Sequence, residues 1–439
     1  MGDIADMVGM KALARRAFEA ACAAGHPAGV TREAMARLET PPTAVISVGK
    51  AAGAMAAAVR DAGCDAPGII VTSDEALADD DLVLPAGMTV FPSAHPVPDV
   101  RGIAAGEAVM DFAGRLGADD HLLLLISGGG SALLPAPAKG MNLADKQALN
   151  EALLASGMDI HEMNAVRRLF SRLKGGRLAR RAAPARITQF LLSDVPGDRF
   201  ESIASGPAVV DPVPLETALK LIRDAGLDRL EFMTEQLVRI EAGQADLPLR
   251  PGDPLADAVT THLLASNSIC RAAARDVLRS ALGGLREVAL PDLAGDAAGC
   301  ARDLAATLAG EVSRGALWAV TGGETTVRLG DNPGAGGRAQ EMGVAFALAL
   351  AEEGDGEAEW TALIGGTDGR DGPTDAAGAL VGPMGGGDMA SARAALAAHD
   401  CYPYLEARDE LLMVPPTGTN LGDIGIFVMG RQNGAGDDA

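Results

Sequence analysis

Gly49-Lys50 follows an apolar run, Ala44–Val48, and opens an alanine-rich stretch, Ala51–Arg60. A lysine between a strand end and a helix start can set its ammonium beside an anion held by the helix N-terminus. The segment is not a Walker A loop, because Ala44 replaces the first glycine and Ala51 the Ser/Thr that follows lysine. The alternative is an ordinary surface lysine in a first helical turn. Ser127-Gly128-Gly129-Gly130-Ser131 follows five apolar residues, Leu122–Ile126. Three glycines let backbone N–H groups converge on an anion without side-chain obstruction, and two serines add hydroxyl donors. This pattern points to a phosphate or carboxylate cradle; the alternative is a flexible loop.

Arg167, Arg168, Arg172, Lys174, Arg177, Arg180 and Arg181 put seven cations in fifteen positions. Anionic ligands need local positive charge of this kind. A solvated helix face accounts for Arg172, Arg180 and Arg181, whereas Lys174, just before Gly175-Gly176, is the better ligand candidate. Asp194 follows the apolar run Ile187–Leu192 and precedes Val195-Pro196-Gly197. A carboxylate there can accept a proton or hold a metal, and a turn or cap role is the equal alternative.

Gly334-Ala335-Gly336-Gly337-Arg338-Ala339 matches the GxGxxA dinucleotide fingerprint, but Gly385–Ala390 matches it too, and Gly330–Pro333 separates Gly334 from any strand. A loop that delivers Arg338 to a helix start fits a clamp on a transferred phosphate better, since a guanidinium can hold two oxygens at once. Asp368, Asp371 and Asp375 place three carboxylates in eight residues, suited to Mg²⁺ or to hydroxyl groups, or to capping a polar turn. The six histidines form no HxxxH or HxH pair, and His95 is a loop residue of interest beside Pro96. No GxSxG elbow is present, which disfavours a hydrolase triad.

The elements that must carry these residues share one rhythm of apolar run, Gly/Ser/Asp-rich turn and helical stretch. It recurs at Ala44–Val48, Leu122–Ile126, Ile187–Leu192, Leu317–Val320 and Trp360–Ile364. Continuous apolar strands alternating with helices predict parallel sheets covered on both faces, with ligands at the carboxyl ends of the strands. Val213–Glu241 reads as helical, and the polar, proline-bearing stretch Ala242–Pro254 is the predicted boundary between two α/β domains.

The 439 residues carry 37 Lys and Arg against 59 Asp and Glu, a net charge of −22. That excludes a general nucleic-acid binder, which needs a basic face. Five scattered cysteines with no CxxC disfavour a disulfide framework or a zinc site. There is no 18-residue apolar run, and Met1–Gly25 is amphipathic with Asp3, Asp6 and Glu19, so a cytoplasmic protein without a membrane partner is expected.

The motifs together resemble the class II glycerate kinases, whose C-terminal part is the MOFRL domain. The resemblance covers about Lys11 to Met429. It is carried by VGKAAGAMA (Val48–Ala56), AHPVPD (Ala94–Asp99), ISGGGSALL (Ile126–Leu134), MNAVRRLFSRLKGGRLA (Met163–Ala179), LSDVPGD (Leu192–Asp198) and IASGPAV (Ile203–Val209). TGGETTV (Thr321–Val327), GGRAQE (Gly336–Glu341), GGTDGRDGPTDAAGA (Gly365–Ala379) and TGTNLGDIGI (Thr417–Ile426) complete it. Ala339 departs from the larger polar residue associated with the family.

The resemblance implies a Rossmann-like N-terminal domain over residues 1–245, a second α/β domain containing the MOFRL region over 255–431, a flexible tail at 432–439, and an active site in the cleft between the domains. It implies ATP-dependent phosphorylation of D-glycerate at the 2-hydroxyl with Mg²⁺, and Lys50 and Arg338 as the catalytic pair. Asp194 would orient or deprotonate the acceptor. Ser127, Gly128, Gly129, Gly130 and Ser131 would cradle a phosphate or the carboxylate. Asn164, Arg168, Lys174, Glu324, Asp368, Asp375 and Asn420 join them as substrate- or phosphate-binding candidates, with Asp194, Asp368 and Asp375 as metal candidates. Small molecules are the expected partners, and a homodimer suits an acidic enzyme of this size. The competing reading is an NAD(P)H-dependent hydroxypyruvate reductase; a non-catalytic sensor of a sugar acid or nucleotide is the other.

Overall fold

The computed structural model describes residues 7–78, 82–330, 332–353, 359–385 and 388–430. They divide into two compact units, one spanning Pro27–Leu264 and the other combining the N-terminal segment to His26 with Ala265 onward. The first unit is built on β1 (Ala44–Val48), β2 (Gly68–Ser73), β3 (Met88–Ser93), β4 (His121–Ile126), β5 (Arg186–Ser193) and β6 (Val259–Ser266). Their order is β3-β2-β1-β4-β5-β6, and the pairs from β3 through β5 are parallel. Every residue of β1, β2 and β4 is buried, which is why these strands read as unbroken apolar runs. Helices Ala52–Asp61 and Val100–Ala113 cover them with alanine and glycine faces. A second core, around Leu153, Val166, Ile222 and Met233, joins the helices Leu143–Ala155, Ile160–Leu169, Leu215–Asp224 and Glu231–Glu241.

The other unit holds β7 (Arg286–Glu287), β8 (Leu317–Gly323), β9 (Trp360–Gly366), β10 (Gly378–Val381), β11 (Leu411–Leu412) and β12 (Asp423–Met429), in the order β11-β10-β9-β12-β8-β7. Here the expected parallel arrangement is corrected. β12 lies between β8 and β9 and runs antiparallel to both, and β10 is antiparallel to β9 and β11. Burial on both faces makes a strand apolar whatever its direction, so the pattern at Leu317–Val320 and Trp360–Ile364 carried no information on direction. The helix Arg338–Glu353 is buried without a break from Ala339 to Leu348.

The two units also differ from the expected domain ranges. The chain crosses between them at Leu264/Ala265, beyond Ala242–Pro254, and the helix Met7–Ala24 belongs with the C-terminal unit. That helix buries Phe18, Ala21 and Cys22, and the Gly25 carbonyl accepts from Thr419 Oγ1 at 2.9 Å. The stretch 242–254 instead returns along the first unit, where Leu249 exchanges backbone hydrogen bonds with Gly175 and Asp211. The expected tail at 432–439 lies outside the described residues. All five cysteines are free thiols, and among the described residues no helix is long and apolar enough to cross a membrane.

Candidate functional site

In an open parallel sheet ligands collect where the strand order reverses, outside the carboxyl ends of the strands. In the first unit that point lies between β1 and β4, which pair from Ala44↔Leu122 to Val48↔Ile126. Gly49-Lys50 leaves β1 and Ser127–Ser131 leaves β4, so the two motifs emerge side by side. They are tied by backbone bonds, Lys50 N to Gly128 O at 2.9 Å and Ser127 N to Val48 O at 3.0 Å. Ser127 Oγ accepts from Ala51 N at 3.1 Å, at the start of helix Ala52–Asp61. Gly49 sits at φ 128, and a Cβ there would meet Ser127 Oγ at 2.1 Å. Only glycine lets the loops close this tightly.

A Cβ on Gly128 would lie 2.3 Å from Asp194 Oδ2, so the carboxylate leaving β5 rests against the bare backbone of the glycine loop. A Cβ on Gly129, itself at φ 82, would stand 3.1 Å from His95 Cδ2 and 3.3 Å from Lys50 Cγ. Partial desolvation, then the Lys50 ammonium, lowers the His95 imidazole from its ordinary value. Gly128–Ser131, His95 and Asp194 line a cavity of about 250 Å³ with Asn164, His161 and Arg167 from the helix Ile160–Leu169, whereas Lys50 and Ser127 stand behind that lining. Ala204, also in its wall, has φ 48, and Ser205 follows at φ 60. Left-handed backbone at non-glycine residues costs about 1–3 kcal/mol each and tends to persist where a site requires it.

The basic island divides. Arg168 is withdrawn from the expected binding set: it is buried in an ion pair with buried Asp211 at 2.9 Å. Lys174 is likewise no lining residue. It is 4% exposed and donates to Ser205 Oγ at 3.2 Å, and Ser205 Oγ shares a hydrogen bond of 2.8 Å with Ser131 Oγ, which does line the cavity. Desolvation, reinforced by Lys146, Arg167 and Arg168, holds the Lys174 ammonium well below its usual range. Lys174 therefore acts on the cavity through two serines. Asn164 accepts from Arg167 at 3.3 Å. Burial lowers Lys146 to about 8, with Arg167 adding to the shift. Arg172, Arg180 and Arg181, expected as a solvated face, bond to Glu107, Asp246 and Met110 O.

Arg338, in the other unit, opens the helix Arg338–Glu353. It is held by both oxygens of Asp423, Nε to Oδ2 at 2.8 Å and Nη2 to Oδ1 at 3.1 Å, and by Glu324 Oε1. Asp423 is buried at the first residue of β12, while Glu324 is exposed. Asp371 caps the helix across the chain, accepting from Ala339 N at 3.1 Å and Gln340 N at 2.8 Å. Desolvation raises Asp368, Asp371 and Asp423 from the ordinary carboxylate value, Asp371 to about 7, while Arg338 opposes each shift. Asp375 turns to another partner, accepting from the Tyr402 hydroxyl at 2.7 Å. Asn420 is exposed in the loop before β12. Asp194 and the pair Asp368 and Asp375 lie in separate units, and among the described residues no three His, Cys, Asp or Glu side chains gather to hold a metal.

Asp423, Ser205 and Ala204 lie inside the motifs TGTNLGDIGI and IASGPAV, where no role is expected of them from the sequence. The available signal for Asp423 was a lone acid at the head of an apolar run, Asp423–Met429. The GxGxxA match fails structurally: the segment from Glu324 to Gly337 separates β8 from the helix, where a fingerprint needs a tight turn. In the second match, Gly386 and Gly387 lie outside the described residues.

Residues 13–238 match a domain of unknown function, DUF4147, and residues 317–423 match the MOFRL family. A D-glycerate 2-kinase of Thermotoga maritima is 33% identical, over 96% of this chain and 100% of its own. A protein of Agrobacterium vitis provisionally named hydroxypyruvate reductase is 38% identical, over 96% of this chain and 95% of its own. The crystal structure of a glycerate kinase from Thermotoga maritima superposes with a TM-score of 0.84 at 30% identity, covering 96% of this chain and all of that one. The chain belongs to the glycerate kinase family that joins a DUF4147 region to a MOFRL domain.

Proposed function

We propose that the protein transfers the γ-phosphoryl group of Mg-ATP to the 2-hydroxyl of D-glycerate, giving 2-phosphoglycerate and ADP. The observation that carries this reading is the pairing of Lys50 with the Ser127–Ser131 loop at the switch point of the parallel sheet, with Asp194 against Gly128. Phosphoryl transfer needs positioning and charge neutralisation more than covalent chemistry. The glycine loop offers N–H donors to a phosphate or to the glycerate carboxylate. The Asp194 carboxylate orients the hydroxyl and receives its proton. The glycerate oxygen forms its bond to Pγ as the bond from Pγ to the β,γ-bridging oxygen breaks and ADP leaves. Lys50 and Arg338 neutralise the oxygens of the moving group. Mg²⁺ enters with the nucleotide, where one or two carboxylates beside its phosphates suffice to hold it.

The name borne by the Agrobacterium vitis relative favours a second reading, reduction of hydroxypyruvate with NAD(P)H. Against it, Gly49 is the only glycine in the β1 turn up to Gly53, so a strand–GxGxxG–helix unit is missing there. The discriminating assay supplies D-glycerate and Mg-ATP and scores ADP. Enolase without phosphoglycerate mutase then reports the position of the new phosphate, since it consumes only the 2-phosphate. ADP with an enolase signal is expected. No ADP, with hydroxypyruvate-dependent NADPH oxidation, would overturn the kinase reading.

A further inference from the structure

The part of the basic island that the proposed reaction does not use faces a second cavity. It measures about 560 Å³, within the size range of small-molecule pockets, and shares no lining residue with the first. Its walls come from the helices Val100–Ala113, Arg177–Ala182 and Glu231–Glu241 and from the segments around Lys139 and Phe170. Six cations line it: Lys139, Arg172, Arg177, Arg180, Arg181 and Arg239. Only three carboxylates, Glu107, Asp111 and Asp246, answer them. In a chain of net charge −22, a concave wall with twice as many cations as acids is a local reversal of sign.

The cations differ in availability. Arg177 is structural, its guanidinium buried and donating to the carbonyls of Arg168, Leu169, Lys174 and Asp246. Arg180 bonds to Asp246, Arg172 to Glu107, and Arg181 has Asp111 at 3.9 Å. Among the described residues Arg239 pairs with Glu235 of its own helix, at 3.7 Å and on an exposed side chain. Lys139 is exposed and in no ion pair among the described residues. Arg239 reaches the backbone next to Lys139: a Cβ on the adjoining Gly140 would lie 3.7 Å from Arg239 Nη1 and 3.1 Å from Glu235 Oε1. The amide of Gln236 is fixed beside them by its bond to Lys139 O at 3.2 Å. Met110, Leu169, Phe170 and Ile240 supply an apolar surface.

We propose that this groove is a second anion site, which takes a small organic phosphate through Lys139, Arg239 and the Arg172 fork while its carbon skeleton lies on the apolar surface. Guanidinium forks match phosphate oxygens two at a time, and an arriving dianion relieves the repulsion among the lining cations. The groove is continuous in chain with the first cavity, because the helix Ile160–Leu169 gives Asn164 and Arg167 to one and Leu169 to the other.

The test is calorimetric titration of the intact protein with inorganic pyrophosphate at low ionic strength, in the absence of glycerate and ATP. Its result therefore stands whichever substrate the first cavity takes. The double variant Lys139→Gln/Arg239→Gln should weaken one binding event at least tenfold and leave turnover at saturating substrate unchanged. Glu107→Gln removes the acid that occupies Arg172 and should tighten the same event about threefold, a gain that loss of folding cannot produce. An isotherm for the double variant superimposable on that of the unaltered protein would overturn the proposal. Should the double variant fail to fold, Glu107→Gln decides alone: unchanged or weaker binding overturns it.

Discussion

The glycine loop of the parallel sheet and the arginine cluster of the mixed sheet each hold a cation and a carboxylate, yet they are built on opposite plans. Beside Lys50 the packing is backbone: Gly49, Gly128 and Gly129 remove side chains, and the cavity lined by Gly128 and Gly129 has Arg167 in its wall. Around Arg338 the walls are side chains, and the guanidinium is already held by buried Asp423 and exposed Glu324. In the proposed reaction the first region receives an anion from outside. The second has its cation aimed by an internal one. In the proposed reaction a phosphate reaching Arg338 would displace Glu324, whose exposed carboxylate gives way at little cost, while Asp423 would keep the fork oriented. One cation is placed by what was removed around it, the other by what was added.

This contrast predicts unequal sensitivities. Lys50→Ala should lower kcat by about 10²–10³, the cost typical of losing one preorganised charge-stabilising group, with an unchanged melting temperature. Asp423→Asn should cost less, about tenfold in kcat, because the amide keeps one acceptor for Arg338 but loses the two-oxygen grip. It should also destabilise the fold by about 1–3 kcal/mol, since the site is buried. A kcat unchanged in Asp423→Asn would mean that Arg338 does not need its orientation.

The smallest effect concerns pH. Lys146, lowered to about 8, is charged at pH 7 and largely neutral at pH 9, and it adds positive charge next to Arg167. The KM for glycerate should therefore rise a few-fold from pH 7 to 9, and Lys146→Met should flatten that rise. A profile with the same slope in the variant would remove Lys146 from the account.

Much of the first region was legible because its signals are local. β1 is Ala44–Val48 as read, and β4 and β5 extend the runs at Leu122 and Ile187 by one or two residues. Glycines after an apolar run announce a backbone-built loop from sequence alone. The second region hides its logic in distance. Asp423 lies 85 residues from Arg338 and Asp371 lies 32 from the helix end it caps. No spacing rule links them, so Asp371 read as one of three clustered carboxylates. Lys174 and Arg168 misled for a related reason: a basic run reads as ligand or solvent face, and only packing reveals which members are buried with Ser205 and Asp211. The antiparallel course of β12 escaped because burial on both faces erases the pattern that distinguishes directions.

The central claim is that these two differently built cations serve a single phosphoryl transfer. A double-mutant cycle on kcat with Lys50→Ala, Arg338→Ala and the combined variant tests it most directly. Groups that act as a unit on one transition state are strongly non-additive. The account predicts that the combined variant is about as slow as the slower single one. A loss equal to the product of the two single losses would contradict it and leave Lys50 and Arg338 as independent contributors.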